Sequence, residues 1–279
     1  MAPELKDLRR VGTNWEIKEL ARKGTRVGKA KIASRTPFLD DIVYKKALKS
    51  INERKKHEKG LEDFLDTILE LHPGKPYEIE AKQFRDEIKS LAKLVEDEEP
   101  DKIMEIGTLW GGTFYLWERY IDSADDVISL DLPGGPVKRR RDQLLRDMTD
   151  EKNIQLFRGN SHSEDMSRKV KKNVGEVDFL FIDGDHSYEG VKQDFEMYKE
   201  LVRNGGIIAF HDIVPHAGNR KEYKEAVKNS TASKDKIAIG DPDWGVAEFW
   251  EELKEDYRTE EFIAHPEQKG CGIGVLYLE

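Results

Sequence analysis

From Lys102 onward the chain alternates short apolar runs with stretches of helical spacing, and that alternation restricts it to a parallel sheet covered by helices. The runs are Ile103–Ile106, Val127–Leu130, Ile154–Phe157, Val177–Ile182 and Gly206–Phe210. Each is nearly continuous in apolar residues, as in strands buried on both faces. Helical spacing fills the gaps at Thr113–Tyr120, Val137–Met148, Glu164–Val174 and Gly190–Val202. Parallel neighbours need such crossovers. After a predicted helix over Val246–Tyr257, the runs Glu261–Ala264 and Ile273–Leu278 flank a loop with Gly270 and Gly272, which predicts a closing antiparallel hairpin.

The first strand breaks at Gly107 within Glu105-Ile106-Gly107-Thr108-Leu109-Trp110-Gly111-Gly112-Thr113, and Asp131 closes the next apolar run 24 positions later. Glycines let a backbone approach a ligand closely. A carboxylate at the end of the second strand can accept from both hydroxyls of a ribose. The pattern is E-x-G-x-x-x-G-G and lacks the G-x-G-x-x-G spacing of a dinucleotide site. A nucleoside-containing cofactor is expected, S-adenosylmethionine rather than a dinucleotide.

Ligands of open α/β sheets bind beyond the carboxyl ends of the strands. Polar residues stand at five such ends: Glu105 to Thr113, then Asp131, then Gly159-Asn160-Ser161-His162, then Asp183-Gly184-Asp185-His186, then His211-Asp212. Ordinary turn chemistry is the alternative at each one. Asp183 could cap the following helix, Asp185 could sit in a turn, His186 could bond only to backbone, and His211 could be a structural histidine.

With these motifs in place, residues 102–279 resemble class I S-adenosylmethionine-dependent methyltransferases. They are most similar to the metal-dependent small-molecule O-methyltransferases of the catechol and caffeoyl-CoA type, and to the sugar- and antibiotic-tailoring, cephalosporin hydroxylase-like group. The resemblance rests on Val177–Tyr188, read V-D-F-L-F-I-D-G-D-H-S-Y, followed by Gly205–Asp212. It implies an α/β, Rossmann-like seven-stranded sheet in the order 3-2-1-4-5-7-6. It implies a cofactor loop of Glu105, Gly107, Thr108, Gly111 and Thr113, with Asp131 on the ribose. Asn160 or His162 with Ser161 would border the adenine, with Asp183 and Gly184 beside it. Asp183, His211 and Asp212 would hold a divalent cation, Mg or Mn. The catalytic set would be Asp183, His186 and His211, with His186 where catechol-type enzymes place a lysine base. A free imidazole titrates near 6.5, so either histidine could take a hydroxyl proton near neutrality. The segment Asp183-Gly184-Asp185-His186 argues against the Asn/Asp-Pro-Pro-Tyr/Phe subclass of N-methyltransferases. A catalytically silent scaffold of the same fold, or an N- or C-methyltransferase, is the alternative function.

The rest of the chain says less about chemistry. Lys plus Arg is 47 and Asp plus Glu is 56, a net charge of −9 that does not attract nucleic acid or anionic membranes. The partner that the resemblance implies is a small-molecule acceptor. No window approaches the roughly 18 apolar residues of a membrane span, and Met1–Lys6 has no signal-peptide core. The single Cys271 excludes an internal disulfide and any multi-cysteine zinc site, and fits a reducing, cytoplasmic compartment.

Residues 1–75 are expected to form a helical extension, with Leu61, Phe64, Leu65, Ile68 and Leu69 at helical spacing. It would either pack on the core or support a homodimer. The domain proper is read as 76–279, opening with a helix over Ala81–Val95. The break Pro73–Pro76 would separate the two. Trp110 would line the acceptor pocket or pack on the extension. The long connection Val214–Trp244, with His216, Asn219, Arg220 and Tyr223, is a lid over that pocket or a surface excursion with a short helix at Lys221–Lys228. Trp244 would be an apolar wall. The basic run Lys138–Arg141 reads as a solvated helix face or a contact for an anionic acceptor.

Overall fold

The computed structural model describes residues 37–70, 77, 79–133, 140–149, 152–215 and 244–279. The expected break at Pro73–Pro76, residues 1–36, Lys138 and Arg139, the lid residues 216–243 with their helix, and a homodimer built on 1–75 lie outside what it describes. Along the chain the elements are α1 (Pro37–Lys55), α2 (Leu61–Glu70), α3 (Arg85–Asp97), β1 (Lys102–Ile106), α4 (Gly112–Tyr120), β2 (Asp126–Asp131), α5 (Arg141–Met148) and β3 (Asn153–Arg158). They continue with α6 (Glu164–Val174), β4 (Val177–Ile182), α7 (Tyr188–Tyr198), β5 (Val202–His211), α8 (Val246–Asp256), β6 (Arg258–Phe262) and β7 (Ile273–Tyr277). No helix among the described residues is long and apolar enough to cross a membrane.

The strands form one seven-stranded sheet in the order β3-β2-β1-β4-β5-β7-β6. Strands β1 to β5 are parallel, and β7 runs antiparallel to both β5 and β6. This is the α/β, Rossmann-like order that the resemblance implied. Pleating sends alternate side chains to opposite faces. Ile103, Val127, Phe179, Phe181 and Ala209 enter one apolar cluster with α2 to α5. Met104, Ile128, Leu180, Ile182 and Phe210 enter another with α6, α7 and α8. On the first face Trp117 meets Phe179 and Phe181 edge-on, at 5.3 and 5.9 Å between ring centres.

Helices α1 and α2 belong to the first cluster through Tyr44, Ala47, Ile51, Phe64, Leu65 and Ile68. Polar ties reinforce them. The Tyr115 hydroxyl donates to Glu58 at 2.9 Å, and Lys55 donates to the Met148 carbonyl at 2.9 Å.

Several element boundaries differ from the sequence reading; β6, for one, spans Arg258–Phe262 rather than Glu261–Ala264. Helix α3 starts at Arg85 rather than Ala81, because residues 79–84 are drawn out of helical geometry. The Ala81 N–H donates instead to the Ile68 carbonyl at 2.8 Å. Strand β5 begins at Val202, not Gly206; α7 ends at Tyr198 and a single tight turn, Lys199–Leu201, leads into the strand. The register of β5 against β4 shifts between Val177 and Phe179, with Gly205 at φ 76°, which hid the strand start from an apolar-run criterion.

Candidate functional site

Beyond the carboxyl ends of β1 to β5 lies a cavity of about 1050 Å³. Parallel strands stop there and their loops diverge. Gly107, Thr108, Thr113, Asp131, Asn160, Ser161, Asp183, Gly184, His186, His211 and Asp212 all line it. The structure therefore brings most of the expected set to one place. Glu105 and Gly111 stand behind the wall. Added to the expected residues are Gln83, Arg141 and Cys271, and Trp244 lines the cavity as an apolar wall would.

The loop after β1 is pinned by contact rather than by length. Gly107 sits at φ 93°, and a Cβ there would lie 2.0 Å from the Asp183 carbonyl oxygen. Only glycine lets the β1 and β4 ends approach this closely. Gly112, at the start of α4, is crossed by another backbone: its Cβ would lie 2.3 Å from the Ala81 nitrogen. That crossing carries Glu80–Gln83 into the cavity wall. Sequence reading missed Gln83 because it assigned the residue to the helix over Ala81–Val95, which in fact starts at Arg85.

Asp131 is held by four donors. Its Oδ2 accepts from the Thr108 and Leu109 backbone N–H groups at 3.1 and 2.9 Å and from Arg141 at 2.8 Å; Oδ1 accepts from the Leu132 N–H at 2.6 Å. A carboxylate offers about two acceptor positions on each oxygen, so the loop and Arg141 saturate Oδ2 while Oδ1 keeps one. Arg141 is 5% exposed. It is not the solvated face that the basic run suggested but part of the cavity lining, and Arg140 pairs with Asp40 and Asp41 at 3.3 and 3.1 Å.

At the ends of β4 and β5, two carboxylates and two imidazoles form a closed ring. His186 Nε2 lies 3.2 Å from Asp183 Oδ1, and His186 Nδ1 lies 3.3 Å from Asp212 Oδ2. His211 Nδ1 lies 3.1 Å from Asp183 Oδ1 and 3.4 Å from Asp212 Oδ2. Gln83 donates to the other Asp183 oxygen at 2.8 Å. Asp212 holds φ 66°, a costly backbone for a non-glycine residue.

Asp183 does not cap α7; Ser187 does, its Oγ accepting from the Gly190 N–H at 3.0 Å. Asp185 is a turn residue that accepts from the Ser187 N–H at 2.9 Å. The His186 ring meets Trp244 edge-on at 4.8 Å.

Charge in the ring sets the protonation states. Burial works against an imidazolium at His211, but the Asp183 and Asp212 charges outweigh it and hold this histidine well above its ordinary value. For His186, burial is likewise outweighed by the hydrogen bond and charge of Asp183, and the value is raised. Burial pushes the Asp183 carboxyl up, yet the His211 and His186 charges leave it below the usual carboxylate range. The expectation of a histidine titrating near 6.5 unaided is thereby corrected: both imidazoles hold their protons further up the pH scale.

Glu105 alternates onto the α4 face of β1, where it is fully buried. It accepts from the Thr113 hydroxyl at 2.9 Å, and its other oxygen has no hydrogen-bond partner among the described residues. Burial pushes its carboxyl from the ordinary 4.5 up to about 8. The folded state therefore binds this proton more tightly than the unfolded chain. Its contribution is fully present below about pH 4.5 and is lost as pH rises through about 8. Glu105→Gln keeps the acceptor for Thr113 and removes the charge. We expect no change in stability at pH 4 and a gain of roughly 2–4 kcal/mol at pH 9. Chemical denaturation at both pH values checks this; an equal effect at the two would contradict the buried acid.

Beyond β3, His162 Nε2 lies 3.2 Å from Asp194, a fully buried carboxylate that sequence spacing gave no reason to select. The Asp194 contact raises the His162 value against the opposing effect of burial.

Residues 104–213 match the family model described as a methyltransferase domain, within the stretch on which the resemblance to methyltransferases was drawn. An uncharacterised protein of Acanthamoeba polyphaga mimivirus is 28% identical over 127 residues, 45% of this chain; the match spans 57% of that protein's length. Among solved structures, an O-methyltransferase from Bacillus cereus in complex with SAH is 16% identical, with 93% of this chain and 100% of that one covered and a TM-score of 0.47. The O-methyltransferase TomG from Streptomyces achromogenes, involved in tomaymycin synthesis and solved with SAM, is 15% identical, with 68% and 78% covered and a TM-score of 0.48.

Proposed function

We propose that this chain transfers a methyl group from S-adenosylmethionine to a hydroxyl oxygen of a small acceptor, a sugar, glycan precursor or natural product, with help from a divalent cation. The observation that carries the reading is the convergence of five strand ends on one cavity, with Asp131 at one side and the Asp183–His186–Asp212–His211 ring at the other. The methyltransferase-domain match over 104–213 supports it. A volume of about 1050 Å³ has room for a nucleoside and an acceptor together.

The cofactor supplies an electrophilic methyl carbon on a sulfonium, so the protein's task is alignment and proton removal. Thr108 and the Gly107 turn close on the nucleoside side. Asp131 takes the ribose hydroxyls once Arg141, the one donor of its four that belongs to a swinging side chain, turns aside. Asn160, Ser161 and Gly184 border the base.

The cation reading fits the donor set: Asp183, His186 and Asp212 present ligand atoms within 4.8 Å of one another. His211, the ligand implied by the sequence resemblance, touches the same two carboxylates and is the alternative imidazole. Mixed nitrogen and oxygen donors suit Mn, Fe or Zn better than Mg. Such an ion would orient the acceptor hydroxyl and lower its pKa. The acceptor proton would then leave to solvent in the cavity, since His211, held between two carboxylates, already carries its own.

Calorimetric titration with S-adenosylhomocysteine tests the cofactor. Saturable binding is expected, and no heat at millimolar ligand with folded protein would remove the reading. Asp131→Ala is expected to weaken that binding at least ~10-fold, since charged hydrogen bonds are worth about 1.5–3 kcal/mol each. Unchanged affinity would contradict the ribose role. The scaffold alternative draws on the four donors already occupying Asp131. Labelled cofactor incubated with hydroxylated acceptors separates the two, since a scaffold binds without transferring label.

A further inference from the structure

His211 has two ring nitrogens, and the ring of carboxylates uses one. Nδ1 faces Asp183 and Asp212. Nε2 is buried and meets no hydrogen-bond partner among the described residues. The residue itself is 4% exposed. A buried nitrogen left this way costs stability unless something else binds it. Two further donors stand beside His211. Glu87 of α3 and Cys271, in the loop before β7, present ligand atoms that lie with a His211 nitrogen inside one 4.8 Å cluster.

We propose that Glu87, His211 and Cys271 form a second cation site, separate from the acceptor-side set and selective for a thiophilic divalent ion such as Zn(II). The chemistry of the donors points that way. Carboxylate, imidazole and thiolate together match borderline-soft ions and disfavour Mg. Ligating histidines commonly donate their other N–H to a carboxylate, which fixes the ring, and Asp183 and Asp212 do this at His211 Nδ1.

Glu87 is 1% exposed and firmly held. Its oxygens accept from the Ala264 N–H at 3.3 Å, the Gln268 amide at 2.6 Å and the Gly272 N–H at 3.0 Å. Three of about four acceptor positions are thereby used, and one remains. Cys271 is delivered at φ 56°, with its N–H donating to Asp212 at 3.1 Å. Tetrahedral zinc needs ligand atoms about 3.4–3.6 Å apart, given Zn–S near 2.3 Å and Zn–N near 2.0 Å. From separations within 4.8 Å, the three side chains need draw in by no more than an ångström or so. Binding exchanges the thiol proton and any proton on Nε2 for the metal, and both leave to solvent. Cys271 and His211 also line the cavity, so three protein ligands leave the fourth position facing it.

Cobalt(II) titration of the full chain, stripped with chelator and kept reduced, tests the site. The expected signature is a thiolate-to-cobalt charge-transfer band in the near ultraviolet with visible tetrahedral bands, both lost on adding Zn(II). Cys271→Ser is expected to abolish the charge-transfer band and weaken Zn(II) binding about 100-fold. Glu87→Gln, checked for an unchanged circular dichroism spectrum, is expected to weaken it about 10-fold or more. Asp183→Asn should keep the charge-transfer band, which separates this site from the acceptor-side ion and needs no turnover to read. Cobalt bound without that band, equal affinity in Cys271→Ser, or no cobalt bound at millimolar concentration would each overturn the proposal.

Discussion

Asp183→Ala is expected to cut methyl transfer by roughly 10³-fold while S-adenosylhomocysteine still binds within about threefold of wild type. Asp183 is the hub of the ring, contacted by His186, His211 and Gln83. Removing it takes away one anchor of the proposed cation and the charge that holds both imidazoles in place. A second readout comes from titration. Without the Asp183 charge, burial should win at His211 and bring its value down from the raised position it now holds. Nuclear magnetic resonance of the ring protons in Asp183→Asn follows this directly. In the folded wild type the raised His211 stabilises fully below the free imidazole value of about 6.5. That contribution disappears as pH climbs through the folded value. The lowered Asp183 works the other way: its share is present above about 3.9 and lost as pH falls through the folded value. More than a tenth of the wild-type rate in Asp183→Ala would remove this carboxylate from the chemistry.

Gly107→Ala is expected to be the most damaging single methyl group in the protein. The added carbon would lie 2.0 Å from the Asp183 carbonyl oxygen and 2.8 Å from the Gly184 nitrogen, both backbone atoms that cannot rotate away. The φ of 93° adds strain for any L side chain. A cost of roughly 3–5 kcal/mol follows from overpacking and backbone strain together. For a chain of this size that lowers Tm by about 10 °C. Cofactor affinity should fall with it, because Thr108 and Leu109 could no longer reach Asp131 as they do now. Melting by circular dichroism within about 2 °C of wild type would show that the β1 and β4 ends do not meet as described.

The parallel sheet was legible because its strands are short, buried on both faces and apolar nearly throughout; Val177–Ile182 and Glu164–Val174 were read to the residue. Polar strand ends were legible because chemistry-bearing residues in apolar surroundings stand out. What escaped reading was whatever depends on two distant segments meeting. Gln83 and Cys271 join the cavity only through tertiary crossings; Gln83 was read as part of the following helix and Cys271 as part of a hairpin loop. Arg141 looked like one of four exposed cations until β2 placed Asp131 beside it. The protonation of His186 and His211 was misjudged for the same reason: a free imidazole value ignores two carboxylates at 3.1–3.4 Å. Glu105 sits at a motif position that suggests ligand contact, yet pleat parity turns its side chain under α4.

The crossing of Glu80 and Ala81 over the first turn of α4 bears on how the molecule can be divided. Ile68 grips that strap from α2, and α2 in turn rests on the same apolar face as the central strands. A fragment trimmed to residues 104–213 would keep the tips of the central strands but forfeit the Glu80–Gln83 flank of the cleft. Truncation mapping aimed at a minimal unit should therefore stop short of α1. The amino-terminal helices are foundations of this architecture, not an appendage to it.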